Sequence, residues 1–366
     1  MRPRNSSPAR RRARAAVFAA LAALAVAAPA SLFAQFPGVP QGHWSKAAPF
    51  PQPEEELYGV AANGKMYVYG GYGAGKPVGM LWEYDPATDK WTKKQTVPVP
   101  VHHSALVEYH GKIYMFGGFT LNVDPNIPGN GWQPVDNVWE YDPLVDTWKA
   151  LAPMPGKRGA AVAVEVGGQI YVIGGAIPEP GTKEIAIRTS RAARSVGTNE
   201  AYDPETNKWS THSPMPTARN HTFAGAVDGK IYVIGGRISS PFMSVASNLD
   251  VVEEYDPMTD TWDGSGARAP MPTARSGGGW ATYNGKIYAA GGEVQTRQLL
   301  GAFRALEAYD PATNSWSILP SLPIPRHGVA TAVVNGKIHF VSGHITSGGA
   351  PDTQVATSAH DVYDPN

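Results

Sequence analysis

The chain of 366 residues contains no cysteine. Disulfides, and a lipid anchor attached through cysteine, are therefore excluded, and stability has to come from packing alone. Long apolar runs are also missing. The one extended run, Ala15 to Ala28, is short and alanine-rich for a membrane span. It follows a start that lacks acid altogether, since Met1–Ala34 holds six arginines and neither Asp nor Glu. A basic start, an apolar stretch and the small-residue pattern Ala28-Pro29-Ala30 read as a bacterial-type secretory signal over residues 1–34. The expectation is a periplasmic or secreted protein with no membrane span once that signal is removed. Without those six arginines, 25 basic residues stand against 31 acidic ones, or roughly −6, which argues against nucleic acid as a partner.

What the chain has in abundance is repetition. Gly64–Trp91, Gly111–Trp148, Gly168–Trp209, Gly229–Trp262 and Gly285–Trp316 each run through a turn, a short apolar strand, two glycines, a variable gap, Tyr-Asp-Pro and a tryptophan. A sixth copy starts at Gly336 and stops at Asp364-Pro365-Asn366, with Ser342-Gly343 where the glycine pair stands elsewhere. Asp228-Gly229, Asn284-Gly285 and Asn335-Gly336 are the dipeptides of type I′ hairpins, which need positive φ. Asp256-Pro257-Met258-Thr259 makes a second turn in its copy. Two turns and a variable gap imply four antiparallel strands per copy. The glycine pairs recur every 47 to 61 residues, the spacing of a propeller blade.

From Trp44 onward the chain resembles the kelch-repeat β-propellers. The resemblance implies an all-β fold of six four-stranded blades in one domain, residues 35–366. The sixth copy lacks its tryptophan, and Gly42-His43-Trp44 has no strands before it. Blade six is therefore expected to be shared between residues 42–52 and 327–366, so that an N-terminal strand closes the ring.

Strand alternation places the near-identical short turns on one face and the unequal loops, the longest being Phe119–Val138 and Ala176–Thr198, on the other. Variable loops on a rigid frame are where binding resides. Ten residues before each hairpin glycine stand Glu54, Val101, Arg158, Arg219, Arg275 and Arg326, followed by Glu55, His102, Gly159, Asn220, Ser276 and His327. Six-fold geometry would gather these at the mouth of a central channel, where the arginines suit carboxylate or phosphate groups. The alternative is that each arginine bonds loop carbonyls or a neighbouring blade's glutamate, because a repeated position encodes the repeat first. Glu54-Glu55-Glu56 and His102-His103 break the pattern as a specific site would. In the blade-two loop Trp132 stands with Asn126, Asn130, Asp136 and Asn137, a composition for a sugar face, or else caps its own loop. Glu293 with Arg297 and Arg304 is the candidate acid with its cations, while Arg188, Arg191 and Arg194 read as a solvated charge run.

Three functions follow from the resemblance. The first is a monomeric binding scaffold for a protein loop or a carbohydrate, acidic or neutral, without cofactor. The second is a cofactor-free sugar mutarotase or epimerase similar to bacterial sialic-acid mutarotases. A copper radical oxidase resembling galactose oxidase is ruled out, because that cofactor joins tyrosine to a cysteine the chain lacks. The remaining histidines match no metal-ligand spacing, so no metal is expected.

Overall fold

A computed structural model describes residues 42–121, 131–187, 193–238, 247–264, 266–296, 299–348 and 355–366. Gly42–Asn366 forms one compact unit. It contains six antiparallel sheets of four strands, the blades. Blade one runs from Glu55–Ala62 to Lys90–Lys93, blade two from Ala105–Tyr109 to Thr147–Ala150, and blade three from Val162–Val166 to Lys208–His212. Blade four runs from Phe223–Val227 to Thr261–Trp262 and blade five from Gly279–Tyr283 to Ser315–Ile318. In blade six Ala330–Val334, Lys337–Val341 and His360–Asp364 are completed by His43–Lys46, with Trp44 opposite Tyr363. The six first strands are successive neighbours around the axis, and the last returns to the first.

Each repeated residue has a visible mechanical role. In blade four, Asp228 and Gly229 adopt φ of 51° and 75°, the pair of left-handed conformations that a type I′ hairpin requires. Lys230–Ile234 then buries its β-branched and aromatic side chains between blades. The Tyr-Asp-Pro tyrosine holds the second turn by donating its hydroxyl hydrogen five residues ahead, as in Tyr255 to Asp260 and Tyr309 to Asn314. That same turn residue accepts the backbone N–H of the previous connector, as in Ser213 to Asp260. The tryptophan indole also reaches the preceding connector, Trp262 donating to the Ser213 carbonyl and Trp209 to that of Ala152.

Trp44 completes this outer ring of bonds by donating to the Pro320 carbonyl at 3.1 Å, and it packs 5.0 Å from the Tyr363 ring. The closing strand is thus fastened as the other fourth strands are. Trp44→Ala is expected to cost about 3 kcal/mol through lost packing and an unmade bond; an unchanged urea midpoint would contradict closure by this strand.

Candidate functional site

The arginines at the head of the first strands do not open onto a shared funnel. Arg158, Arg219, Arg275 and Arg326 are all buried. Each pairs with a carboxylate on the third strand of its own blade: Arg158 with Glu200 at 2.6 Å, Arg219 with Glu253, Arg275 with Glu307, and Arg326 with Asp361 at 2.7 Å. Arg219 also donates to the carbonyls of Thr217, Val233 and Gly235, and Arg275 repeats the set with Thr273, Ala289 and Gly291. Carbonyl bonding was therefore the right alternative, and the acid partner sits in the same blade rather than the next.

The backbone of these residues does a second job. The Arg275 carbonyl accepts from Gly236 of the preceding blade, and Arg158, Arg219 and Arg326 accept likewise from Gly118, Gly175 and Gly292. Glu54 takes the arginine's place in blade one, accepting from Gly343 and so joining blade six to blade one. Its carboxyl is half-buried, and burial raises its pKa.

The residues that circle the axis lie two positions further along. Glu56, His103, Ala160, His221, Gly277 and Gly328 all have φ between 55° and 66°. Five consecutive backbone bonds link this ring, from Ala160 to His103, His221 to Ala160, Gly277 to His221, Gly328 to Gly277, and Leu57 to Gly328. At Gly328 a Cβ would crowd the ring, coming 2.5 Å from the Glu56 nitrogen. Ring residues line a cavity of about 20 Å³, room for one water molecule.

Over this ring the mouth divides into two halves. Above blades one to three it is aromatic. Trp132 is buried, its ring 4.4 Å from His102 and 4.8 Å from His103, and its backbone pairs with Ile187 of the next loop. Trp132 therefore caps its own loop and is not presented as a sugar platform. Asn126, Asn130, Arg188, Arg191 and Arg297, like the signal segment, lie outside the described residues.

The other half is a charged network. Glu293 accepts from Arg237 at 2.6 Å on one oxygen, and from Gln295, Ser347 and Gly348 on the other. Burial pushes its pKa up, but His327, Arg237 and the Gly348 N–H outweigh it and bring the value to about 2. These partners favour the anionic form of Glu293. His221 accepts from Arg237 at Nε2, since a guanidinium only donates, so its Nδ1–H points to Asn220. Burial, then Arg237 and the neighbouring histidines, keep His221 neutral. His102 is likewise held neutral by burial and His103.

His327 donates Nδ1–H to the Thr346 carbonyl, and its Nε2 stands 3.8 Å from each of Glu55, Glu56 and Glu293. Burial opposes its charge, yet the three carboxylates win and raise its pKa. Burial likewise pushes Glu56 up, but His103, 3.1 Å away, and His327 hold it below the ordinary value. Glu55 keeps a proton. Burial drives its pKa up to about 8, His327 lowers it in part, and Glu56, Glu293 and Glu54 raise it further.

Glu56, His103 and His221 bring ligand atoms within 4.8 Å of one another. They do not form a ready metal site, because both ring nitrogens of His221 are engaged and the Arg237 cation lies beside it. The register count missed Arg237 and His221. The same count carried two residues further finds His221, and the residue after each glycine pair, Tyr72, Phe119, Ala176, Arg237, Glu293 and His344, finds Arg237.

Removing one member of a buried ion pair leaves its partner's charge uncompensated. Arg219→Ala is expected to cost about 3–5 kcal/mol, and Arg219→Met with Glu253→Met to recover most of it, as read by urea denaturation. Glu55 has a pKa raised from 4.5 in the unfolded chain to about 8, so its stabilising contribution is full below pH 4.5 and is lost as pH rises toward 8. Glu55→Gln should accordingly raise stability by about 3 kcal/mol at pH 9 and hardly change it at pH 5; parallel pH profiles for the two proteins would refute this assignment.

The comparisons agree with this geometry. A family model, the KLHDC2/KLHL20/DRC7 Kelch-repeats domain, matches residues 40–175 and 163–363. Kelch-like protein terF of Aspergillus terreus is 31% identical over 231 residues, 62% of this chain and 47% of terF. Beta-scruin of Limulus polyphemus is 30% identical over 62% of this chain and 24% of its own, and human Kelch-like protein 23 is 28% identical over 60% and 36%. The chain spans less than half the length of each of these relatives. The solved structure of YjhT superposes with a TM-score of 0.67 over 86% of this chain and 96% of its own, at 18% identity, a likeness of fold. With the model matched along nearly the whole ring and six blades built on its repeat, the chain belongs to the kelch-repeat family.

Proposed function

We propose that the protein is an exported scaffold that binds a ligand, a protein loop before a glycan, on the face of the unequal loops. The observation that carries this reading is the contrast between the two faces. On one, every blade ends in the same tight turns. On the other, the loops of blades two to five each form a further two-stranded hairpin, Phe119–Leu121 with Trp132–Pro134, Ala176–Pro178 with Ala193–Ser195, Arg237–Ile238 with Ser247–Asn248, and Glu293–Gln295 with Leu300–Ala302. The described strands of these loops are held by pairing and present a surface at little ordering cost. The same face exposes apolar side chains, Ile185 in blade three, Ile238 in blade four, Leu299 and Leu300 in blade five and Val355 in blade six, of the kind a protein partner covers. Export rests on the arginine and alanine pattern of residues 1–34.

Glu55 supports a second reading, a cofactor-free sugar mutarotase or epimerase. Ring opening needs a carboxyl that can still give up a proton near neutral pH, and Glu55 beside the His327 imidazole is such a group.

The scaffold reading is tested by capture from the exported fraction on immobilised protein. Replacing Ile238 and Leu299 by serine should weaken capture at least tenfold, whereas replacing Met258 on the opposite face should not. Equal loss from both faces, or from neither, would reject it. For the second reading, NMR anomer exchange with acidic sugars should fall to the uncatalysed rate in Glu55→Gln.

A further inference from the structure

The four buried ion pairs are not equivalent. In blades four and five the residue two before the arginine is a threonine. Thr217 donates its hydroxyl hydrogen to Glu253 Oε1 at 2.7 Å, and Thr273 does the same to Glu307 Oε1 at 2.7 Å. Each carboxylate is thereby finished: one oxygen takes the arginine, the other the threonine. The side chains of Glu253 and Glu307 are 0% and 3% exposed.

Blades three and six lack this threonine: Ile324 stands two before Arg326, and in blade three the change is to glycine. The blade-three sequence Met154-Pro155-Gly156-Lys157-Arg158 aligns with Met215-Pro216-Thr217-Ala218-Arg219, so Gly156 occupies the place of the threonine. Glu200 gives Oε2 to Arg158, and among the described residues its Oε1 accepts no hydrogen bond. The Glu200 side chain is 8% exposed, more than either counterpart. The lock on the arginine is looser as well: Arg158 Nε, like that of Arg326 in blade six, is buried without a partner, whereas Arg219 and Arg275 donate theirs to Gly235 and Gly291.

The Glu200 side chain lines an open groove. Gly156, Arg158 and Glu200 form the floor of a groove of about 500 Å³ on the loop face, walled by Pro155, Ile177, Pro178, Glu179, Pro180 and Val196. That size suits one side chain and the backbone beside it. The floor lacks a single donor, and a carboxylate oxygen in a partly dry site bonds a charged donor more strongly than a neutral one. The groove is also lined by Glu179 and Glu184 against the single exposed cation Lys157, which leaves the balance negative once Arg158 is paired with Glu200. No aromatic ring lines the groove, which disfavours a sugar. With one oxygen free, a compact ammonium fits better than the two-pronged guanidinium.

We propose that this groove receives a lysine side chain from an extended segment of a partner protein, its ammonium donating to Glu200 Oε1 where threonine closes blades four and five. Proline and aliphatic walls cover the lysine stem. The inference rests on the scaffold reading and narrows it to one blade and one anchor.

The test installs the missing hydroxyl. A Cβ at Gly156 would meet nothing within 4 Å, and the residue lies outside the left-handed region, so Gly156→Thr and Gly156→Ala should both fold. The probe is acetyl-Ala-Lys-Ala-amide, titrated by NMR into the whole protein beside its norleucine counterpart. Expected are saturable shifts at blade three with the lysine peptide only, retained in Gly156→Ala and weakened at least tenfold in Gly156→Thr. Equal shifts from the norleucine peptide, equal loss in both variants, or no loss in either would overturn the proposal. Capture that survives Gly156→Thr but falls with the loop-face substitutions would sink the lysine groove alone and leave the scaffold standing.

Discussion

A buried arginine that serves two blades at once is the interaction on which the ring depends. Its guanidinium ties the first, second and third strands of its own blade together, and its carbonyl accepts from the second glycine of the blade before. An ion pair so deeply buried is a poor source of net stability, because desolvation offsets most of the attraction. Its value here is geometric. Without the charge and the carbonyl acceptors in register, neither the blade edge nor the joint between blades is specified. The glycine pair belongs to the same device, since at Gly236 a Cβ would come 2.7 Å from the Asn220 carbonyl and 2.5 Å from the Thr222 side chain.

The strained ring around the axis follows from that joint. Once the arginine carbonyl is held from one side, the chain must turn within two residues to begin the first strand. It does so through a left-handed residue in all six blades. Alanine, histidine and glutamate tolerate this conformation less well than glycine, yet blades one to four carry them. Where the side chains are polar they meet at the axis and form the network of Glu56, His103, His221 and their neighbours. The symmetry of the frame thus concentrates its least symmetric residues at one point, shielded on one side by Trp132 and neutralised on the other by Arg237 and His327.

Much of this was legible. The hairpin dipeptides, glycine pairs and Tyr-Asp-Pro turns are local signals, each read from a few adjacent residues, and they gave six blades and the closing strand at Trp44. The role of the arginines was also written in the chain, in a longer-range form. Blades three to six carry an acid two residues before the Tyr-Asp-Pro tyrosine, Glu200, Glu253, Glu307 and Asp361, together with the arginine. In blades one and two tryptophans stand there, Trp82 and Trp139, and the arginine is absent. Acid and base come and go together within one sequence, the mark of a contact inside the repeat. Counting a single register concealed it.

What the sequence determined by itself is the repeat: which residues turn, which pleat, how many blades there are, and that both ends of the ring meet in blade six. Periodicity is enough for this because each blade is a local solution to the same packing problem. Only the tertiary structure decided where the charges go. A guanidinium near an opening in sequence can point along its strand, and here carbonyls at the second strand and a carboxylate on the third draw it inward. Surroundings also set two carboxyls apart: Glu55 and Glu293 are the same side chain, but burial raises the one, offset only in part by His327, while the other meets Arg237 and three further donors.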